Sequence, residues 1–332
     1  MQSLSVTESS ELAQARRAAA ALAEGQGFDE EDVGRAQLVA MEIGSNLVKH
    51  GGGGELILQP LERGERRGVR LLGLDKGSGI ADLGKCLRDG FSTGSSPGTG
   101  LGAISRIAQA FDVYSQTEHG TAVLADIWPG GRVPPSNTTL ELGSVVVPKS
   151  GEVECGDSWC YVERANGALV MGVDGLGHGL GAAQAAKAAC DVFLTEKTRS
   201  PGVVLERVHQ ALRTTRGAAA VLIEIDWQQR QLLAAGIGNM VAAIVENNSL
   251  KRIPSYNGIV GHASPRIREL TYPLAPESIV IFHSDGLTTA WQPERYPGLM
   301  QHPCAIIAGV LYRDCKRGRD DSLIVALRRA TT

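Results

Sequence analysis

The chain has 332 residues, 43% of them hydrophobic, and its 33 basic and 36 acidic side chains leave a net charge of −3. That length can bury one large core or two ordinary ones, and so small a charge gives no electrostatic reason to expect nucleic acid or an anionic membrane as partner. No apolar run approaches the length of a membrane span, and no basic-then-apolar stretch opens the chain. The six cysteines, Cys86, Cys155, Cys160, Cys190, Cys304 and Cys315, form no CxxC pair, so a reduced, cytoplasmic protein is expected.

In chain order, Glu8 to Ala23 is rich in good helix formers, Gly25 and Gly27 stop it, and Asp29 or Glu30 opens a second helix towards Val48. Glu42 and Asn46 lie four apart on that helix and share one face. Beyond four glycines, Glu55–Gln59 and Val69–Leu74 read as strands joined by a charged turn around Gly64. The second strand delivers Asp75-Lys76-Gly77-Ser78-Gly79. A glycine-rich stretch, Gly94 to Gly102, then leads into a helix expected over Ala103 to Phe111. Such a stretch lets backbone N–H groups approach phosphates closely. After Trp128, the run Pro129-Gly130-Gly131-Arg132-Val133-Pro134-Pro135 has no apolar period and marks a break between two domains.

Those boxes, in that order, resemble the GHKL ATP-binding fold, and within it the RsbT-type serine/threonine kinases and anti-sigma kinases; the run Asp89 to Gly94 looks particularly RsbT-like. The resemblance implies that Glu42 orients or deprotonates the attacking hydroxyl, that Asn46 holds Mg²⁺, and that Asp75 receives the adenine amino group. It makes Gly77 and Gly79 the floor of the site and sets Gly98, Gly100 and Gly102 over the phosphates. Ser78 departs from the proline common there. Two rival motifs fail. Gly79 to Cys86 matches the first seven positions of a P-loop but ends in Cys86 where Ser or Thr should meet Mg²⁺, and His50 has no dimerising helical hairpin before it.

In the second half, Ser144 to Pro148 reads as a strand, Asp157 falls in a turn, and Leu169 to Val173 is an apolar strand that carries Asp174-Gly175. An alanine-rich helix follows Gly179 as far as Phe193. Further strands are expected at Ala218–Ile225, Gln231–Ile237, Met240–Val245 and Ser278–Phe282, the last leading to Ser284-Asp285-Gly286, and a final strand follows Asp320-Asp321. Many strands with few long helices suggest a two-sheet sandwich with a cleft at the strand ends. Separated Asp-Gly corners can gather carboxylates around divalent metal, and hard Mg²⁺ or Mn²⁺ with oxygen ligands suits phosphate chemistry. A cysteine-dependent phosphatase needs an arginine at the sixth position after its thiol, which none of the six cysteines has. His178 reads more readily as a turn residue than as a proton donor.

This half resembles the PPM metal-dependent serine/threonine phosphatases of the SpoIIE-like branch, RsbX-type members above all, through Cys155–Ser158, Val173–Gly177, Arg216–Ala218, Gly236–Asn239, His283–Leu287 and Asp320-Asp321. The resemblance implies that Asp174 bridges two Mn²⁺ or Mg²⁺ ions and that the Gly175 carbonyl, Asp157, Asp285 and Asp320 complete the shell, with Asp321 replacing Asp320 if the register is off by one. It implies hydrolysis of phosphoserine or phosphothreonine by in-line attack, without a phosphoenzyme. The resemblances together imply an α+β chain. A GHKL (Bergerat) α/β sandwich would occupy residues 1–128, a linker 129–141, and a PPM-type α-β-β-α sandwich 142–329. They imply a kinase and an opposing phosphatase acting on STAS-domain antagonists of a stressosome or partner-switching pathway, with a sigma factor or other output downstream and a homodimer left open. The alternative is an ATP-dependent sequestering module fused to an active phosphatase.

Overall fold

A computed structural model describes residues 1–86, 100–134, 138–262 and 267–330, and the chain divides into two compact units, Met1–Asn137 and Thr138–Thr332. In the first, β1 (Gln2–Val6), α1 (Leu12–Gly25) and α2 (Glu30–Lys49) precede the hairpin β2 (Gly54–Arg63) and β3 (Arg66–Asp75). After it come the single turn α3 (Leu83–Cys86), α4 (Gly100–Ile107), β4 (Ala110–Gln116) and β5 (Gly120–Ile127). The strands form one antiparallel sheet in the order β1-β2-β3-β5-β4. α1 and α2 pack on it over a core that includes Ile43, Leu47, Leu56, Leu71 and Val123.

Local chemistry explains α2. Asp29 caps it by accepting from the Asp32 N–H, and Glu30, Glu31 and Asp32 place negative charge at the positive end of the helix dipole. At Gly73 a Cβ would stand 2.3 Å from Ile43 Cγ2, so only glycine lets α2 lie this close to β3. Two expectations need correction. The first helix starts at Leu12, because Glu8 and Glu11 close a capping box around a 3-10 turn at Ser9–Glu11. The helix expected to reach Phe111 runs from Gly100 to Ile107, and Phe111 belongs to β4, paired with Ala125.

The second unit contains β6 (Leu140–Val147), β7 (Asp157–Arg164), β8 (Gly167–Gly175), α5 (Leu180–Thr195), α6 (Pro201–Ala211), β9 (Ala218–Asp226), β10 (Gln231–Ile237), β11 (Val241–Glu246) and β12 (Ser249–Ile253). It closes with β13 (Leu270–Pro273), β14 (Ile279–His283), α7 (Cys304–Cys315) and β15 (Ser322–Arg329). Leu140 and Glu141, expected in the linker, are the first residues of β6, where they pair with Arg329 and Arg328. Asp157, expected in a turn, is the first residue of β7.

Two five-stranded antiparallel sheets, β13-β10-β9-β8-β7 and β12-β11-β14-β15-β6, face each other across a core with Val221, Leu232, Ile244, Phe282 and Val325. α5 and α6 cover the outer face of the first sheet, over Leu169, Phe193, Leu205 and Leu222. α7 covers the second sheet along β6 and β15, and each of its residues except Asp314 is buried. The result is an α-β-β-α sandwich. α7 sits directly on β6 because residue 143 is glycine; a Cβ there would stand 2.1 Å from Ala305 N, a backbone atom that cannot rotate away. Gly143→Ala should therefore lower the stability of this unit by about 1–3 kcal/mol, the usual cost of overpacking, read as a lower denaturation midpoint in urea with the far-UV spectrum retained.

Candidate functional site

Antiparallel pairing assembles the acidic site. Asp157, opening β7, lies directly opposite Asp174, near the end of β8. Asp285 follows β14 and Asp320 precedes β15, which are neighbours in the other sheet. Asp285, Thr288, Arg317, Arg319 and Asp320, at the ends of β14 and β15, line a cleft of about 480 Å³, and Asp285 and Asp320 lie near enough to act electrostatically on Asp174 of the other sheet.

The carboxylates raise one another's proton affinity. Burial, then the charge of Asp174, pushes Asp157 well above the ordinary carboxylate range, although the Ser284 hydroxyl donates to its Oδ2 at 2.6 Å. Asp174 is pushed up to about 7, first by burial and then by Asp285, Asp320 and Asp321. Asp285 is raised by burial and by Asp320, while Arg317 and the Asn239 amide oppose the shift; Asn239 Nδ2 donates to Asp285 Oδ2 at 2.6 Å. Desolvation and like charge both disfavour the ionised form.

Asp320 and Asp321 separate by role. Asp321 is 3% exposed, and its two oxygens accept from Lys149 N and Gly156 N, each at 2.8 Å, so it ties the β6–β7 connection to β15. Asp320 faces the cleft. Gly175, whose N–H donates to the Gly156 carbonyl at 3.0 Å, must be glycine, since a Cβ would meet the Ala182 carbonyl oxygen at 2.2 Å.

An all-oxygen donor set, with Asp157 buried, fits Mg²⁺ or Mn²⁺. As they stand, no three acidic, histidine or cysteine side chains among the described residues converge closely enough to ligate one ion. A thiol chemistry is disfavoured, because burial pushes the Cys155 thiol up, away from the reactive thiolate.

Three supporting groups were not evident as such in the sequence. Ser284 is fully buried and also accepts from Leu323 N at 3.0 Å, joining β14, β15 and β7. Asn239 lies in a matching segment but had no assigned role. Glu152, in a loop without periodicity, contacts His178 Nδ1 at 2.6 Å and gives that turn residue a carboxylate partner.

In the first unit, α2 and the end of β3 form a second site. Glu42 and Asn46 are half-buried, one turn apart. Asn46 Nδ2 is buried without a hydrogen-bond partner among the described residues, and a Cβ on Gly100 would stand 3.7 Å from its Oδ1. Asp75, 9% exposed, accepts at Oδ1 from Gly77 N at 2.8 Å and from Thr121 N at 3.1 Å. A Cβ on Gly77 would meet the His50 carbonyl oxygen at 2.4 Å, and Gly79 has φ +70°. Gly100 and Gly102 lie in the first turn of α4 rather than in a loop. Gly98 and the run Asp89 to Gly94 lie outside the described residues.

The α-β-β-α sandwich with carboxylates at its strand ends defines a PP2C-type phosphatase domain, and the antiparallel sheet under α1 and α2 defines a kinase-like ATPase domain of GHKL type. The profile of stage II sporulation protein E (SpoIIE) matches residues 164–329, half of the chain. The chain belongs to the SpoIIE family. Asp174, Asp285 and Asp320 fall within that match, and Asp157 lies before it. The profile of the histidine kinase-like ATPase domain matches residues 6–127.

Two relatives come from Bacillus subtilis (strain 168). The serine/threonine-protein kinase RsbT is 28% identical over 118 residues, 36% of this chain and 89% of that protein. The phosphoserine phosphatase RsbX is 28% identical over 142 residues, 42% of this chain and 70% of that protein. A chain from work on the bacterial stressosome as a modular system adapted to control secondary messenger signaling shares the fold, with a TM-score of 0.54 and 24% identity, covering 57% of this chain and 100% of that one.

The raised Asp174 gives a signed expectation. A carboxyl whose folded pKa of about 7 exceeds its ordinary 3.8 stabilises the fold fully below 3.8, and that contribution is lost as pH rises through about 7. In chelator, the second unit should melt at lower temperature at about pH 8 than at about pH 5, and Mn²⁺ should raise the melting temperature more at the higher pH. Equal melting temperatures at both pH values would contradict this.

Proposed function

We propose that this chain is a bifunctional, cytoplasmic switch protein whose second unit removes phosphate from serine or threonine of a STAS-domain regulator and whose first unit places it there from ATP. The partner belongs to a stressosome or partner-switching pathway with a sigma factor or comparable output. The observation that carries the phosphatase reading is the pairing of Asp157 with Asp174 across β7 and β8, beside Asp285 and Asp320, in a site where burial and like charge disfavour the ionised forms of Asp157, Asp174 and Asp285. RsbT and RsbX, each similar to one half, support the pairing of activities. No helix of the described chain is long and apolar enough to cross a membrane.

In this reading Asp174, Asp157, Asp285, Asp320 and the Gly175 carbonyl hold two Mn²⁺ or Mg²⁺ ions. Bound there, the ions would supply a Lewis acid against the phosphoryl oxygens and a more acidic water at neutral pH. Ser284 and Asn239 keep Asp157 and Asp285 oriented, and such outer partners commonly matter about 10–100-fold for metal affinity. In the first unit Asp75, fixed by two backbone N–H groups, accepts from the adenine amino group over a floor of Gly77 and Gly79. The Asn46 amide would meet the Mg²⁺ of ATP, Gly100 and Gly102 at the start of α4 would lie towards the phosphates, and Glu42 would orient or deprotonate the incoming hydroxyl.

Purified protein with Mn²⁺ or Mg²⁺ should hydrolyse an aryl phosphate and a phosphorylated STAS protein. Asp174→Asn should lower turnover about a hundredfold or more, because loss of that carboxylate's charge would weaken the hold on the metal ions that supply the charge stabilisation. Metal-independent turnover, or turnover unaffected by Asp174→Asn, would reject the phosphatase.

Glu42→Ala should cut phosphotransfer to the STAS protein by about 10²–10⁴-fold while ATP affinity stays within about threefold, the pattern for loss of a general base that does not hold the nucleotide. A wild-type protein that binds ATP and the partner without transferring phosphate would favour the second reading, in which the first unit only sequesters. The glutamate that speaks for transfer can also support binding-linked hydrolysis, which is why that reading stands beside the first.

A further inference from the structure

The acidic cleft holds two cations that the chemistry above does not use. Arg317 and Arg319 line it together with Asp285, Thr288 and Asp320. Their placement is built into the backbone. Leu287 and Lys316 form an antiparallel bridge, Thr288 N donates to the Cys315 carbonyl at 2.8 Å, and Arg317 N donates to the Gly286 carbonyl at 2.8 Å. The segment after α7 is thereby fastened to the segment that carries Asp285. Gly318 then turns the chain at φ +68°, a left-handed conformation that suits glycine, and Arg319 follows immediately before Asp320.

Both guanidiniums are exposed, and neither makes an ion pair or a hydrogen bond with a described residue. Three other arginines of this unit are held by carboxylates, Arg164 by Glu224, Arg313 by Asp314 and Arg328 by Glu141. Arg317 is close enough to Asp285 to oppose the upward shift of its pKa but is not tied to it.

Resting on the phosphatase reading, we infer that Arg317 and Arg319 form an anion subsite that grips the phosphate dianion of the substrate and of the released product. A cleft rich in aspartate repels a dianion, and two cations at its wall offset that repulsion at the point of entry. Guanidinium offers paired N–H donors that match phosphate oxygens, so the contact also fixes orientation. The subsite makes the enzyme select for the phosphate group itself, independently of the charge of the surrounding peptide.

The test uses the full chain with saturating Mn²⁺ and the variants Arg317→Ala, Arg319→Ala and their Lys counterparts. KM and kcat are measured on p-nitrophenyl phosphate and on phosphoserine peptides with neutral or acidic flanks, and inhibition by inorganic phosphate is measured alongside. Each alanine variant should raise KM on every substrate, and the inhibition constant of phosphate, about tenfold, as expected for a lost charge-assisted hydrogen bond. kcat and the Mn²⁺ requirement should change less than about threefold, and lysine should restore part of the loss.

Unchanged KM and phosphate inhibition would overturn the inference. So would an effect confined to the acidic peptide, which would make the arginines readers of flanking sequence. If the wild type shows no metal-dependent turnover, the phosphatase reading fails, but calorimetric titration of inorganic phosphate into the Mn²⁺-treated protein still decides the subsite. Weaker binding in the alanine variants supports it, and equal or absent binding in all proteins overturns it.

Discussion

Asp157 and Asp174 face each other across one ladder, with Asp285, Asp320 and Asp321 near enough to raise their proton affinity. That repulsion is the constraint on which the second unit is organised. Carboxylates so placed favour water or separation, and they stay together because strands in two sheets end at the same edge. The covalent and hydrogen-bonded framework behind them has no such conflict: Phe282, Val325 and Ile244 fill the space between sheets, and Phe193 and Leu205 fill the space under α5 and α6. The stability of that core is what permits a locally unfavourable site.

Small residues set the distances. Gly143 lets α7 lie on β6, Gly175 lets α5 pass close to the Asp174 corner, and Gly73 lets α2 lie on β3. Each removes a side chain where two backbones or a backbone and a branched side chain must approach, so the elements that carry Asp174 in one unit and Glu42 and Asn46 in the other are fixed by contact rather than by loops. The polar ties do the finer work. Ser284 bridges three strands at Asp157, and the backbone N–H groups of Gly77 and Thr121 both donate to Oδ1 of Asp75.

The two units are organised around different chemistry. The first is organised around a helix face and an aspartate at a strand end, with one buried unpaired amide at Asn46. The second is organised around negative charge in need of cations. Together they account for why the halves resemble proteins of different folds, RsbT over the ATPase and RsbX over the phosphatase, and why the family match to SpoIIE is confined to residues 164–329.

Much was legible in the sequence because it is written in short-range order. Alternating or apolar runs bounded by glycine gave β8, β9, β10 and β14, the capped alternation of acidic and apolar residues gave α2, and aspartates next to glycine marked the strand-end corners. α7 was not legible, since it is buried on nearly every face and has no amphipathic period. Phe111 was drawn into a strand by β5, a long-range partner that overrides local preference. The choice between Asp320 and Asp321 also lay beyond the sequence: adjacent residues at a strand entrance point to opposite sides, and only packing decides which side is the cleft and which meets Lys149 and Gly156. The sequence by itself determined which chemical groups this protein has and on which elements they ride. The tertiary structure decided which of them meet, because antiparallel pairing and the stacking of two sheets join residues more than a hundred positions apart.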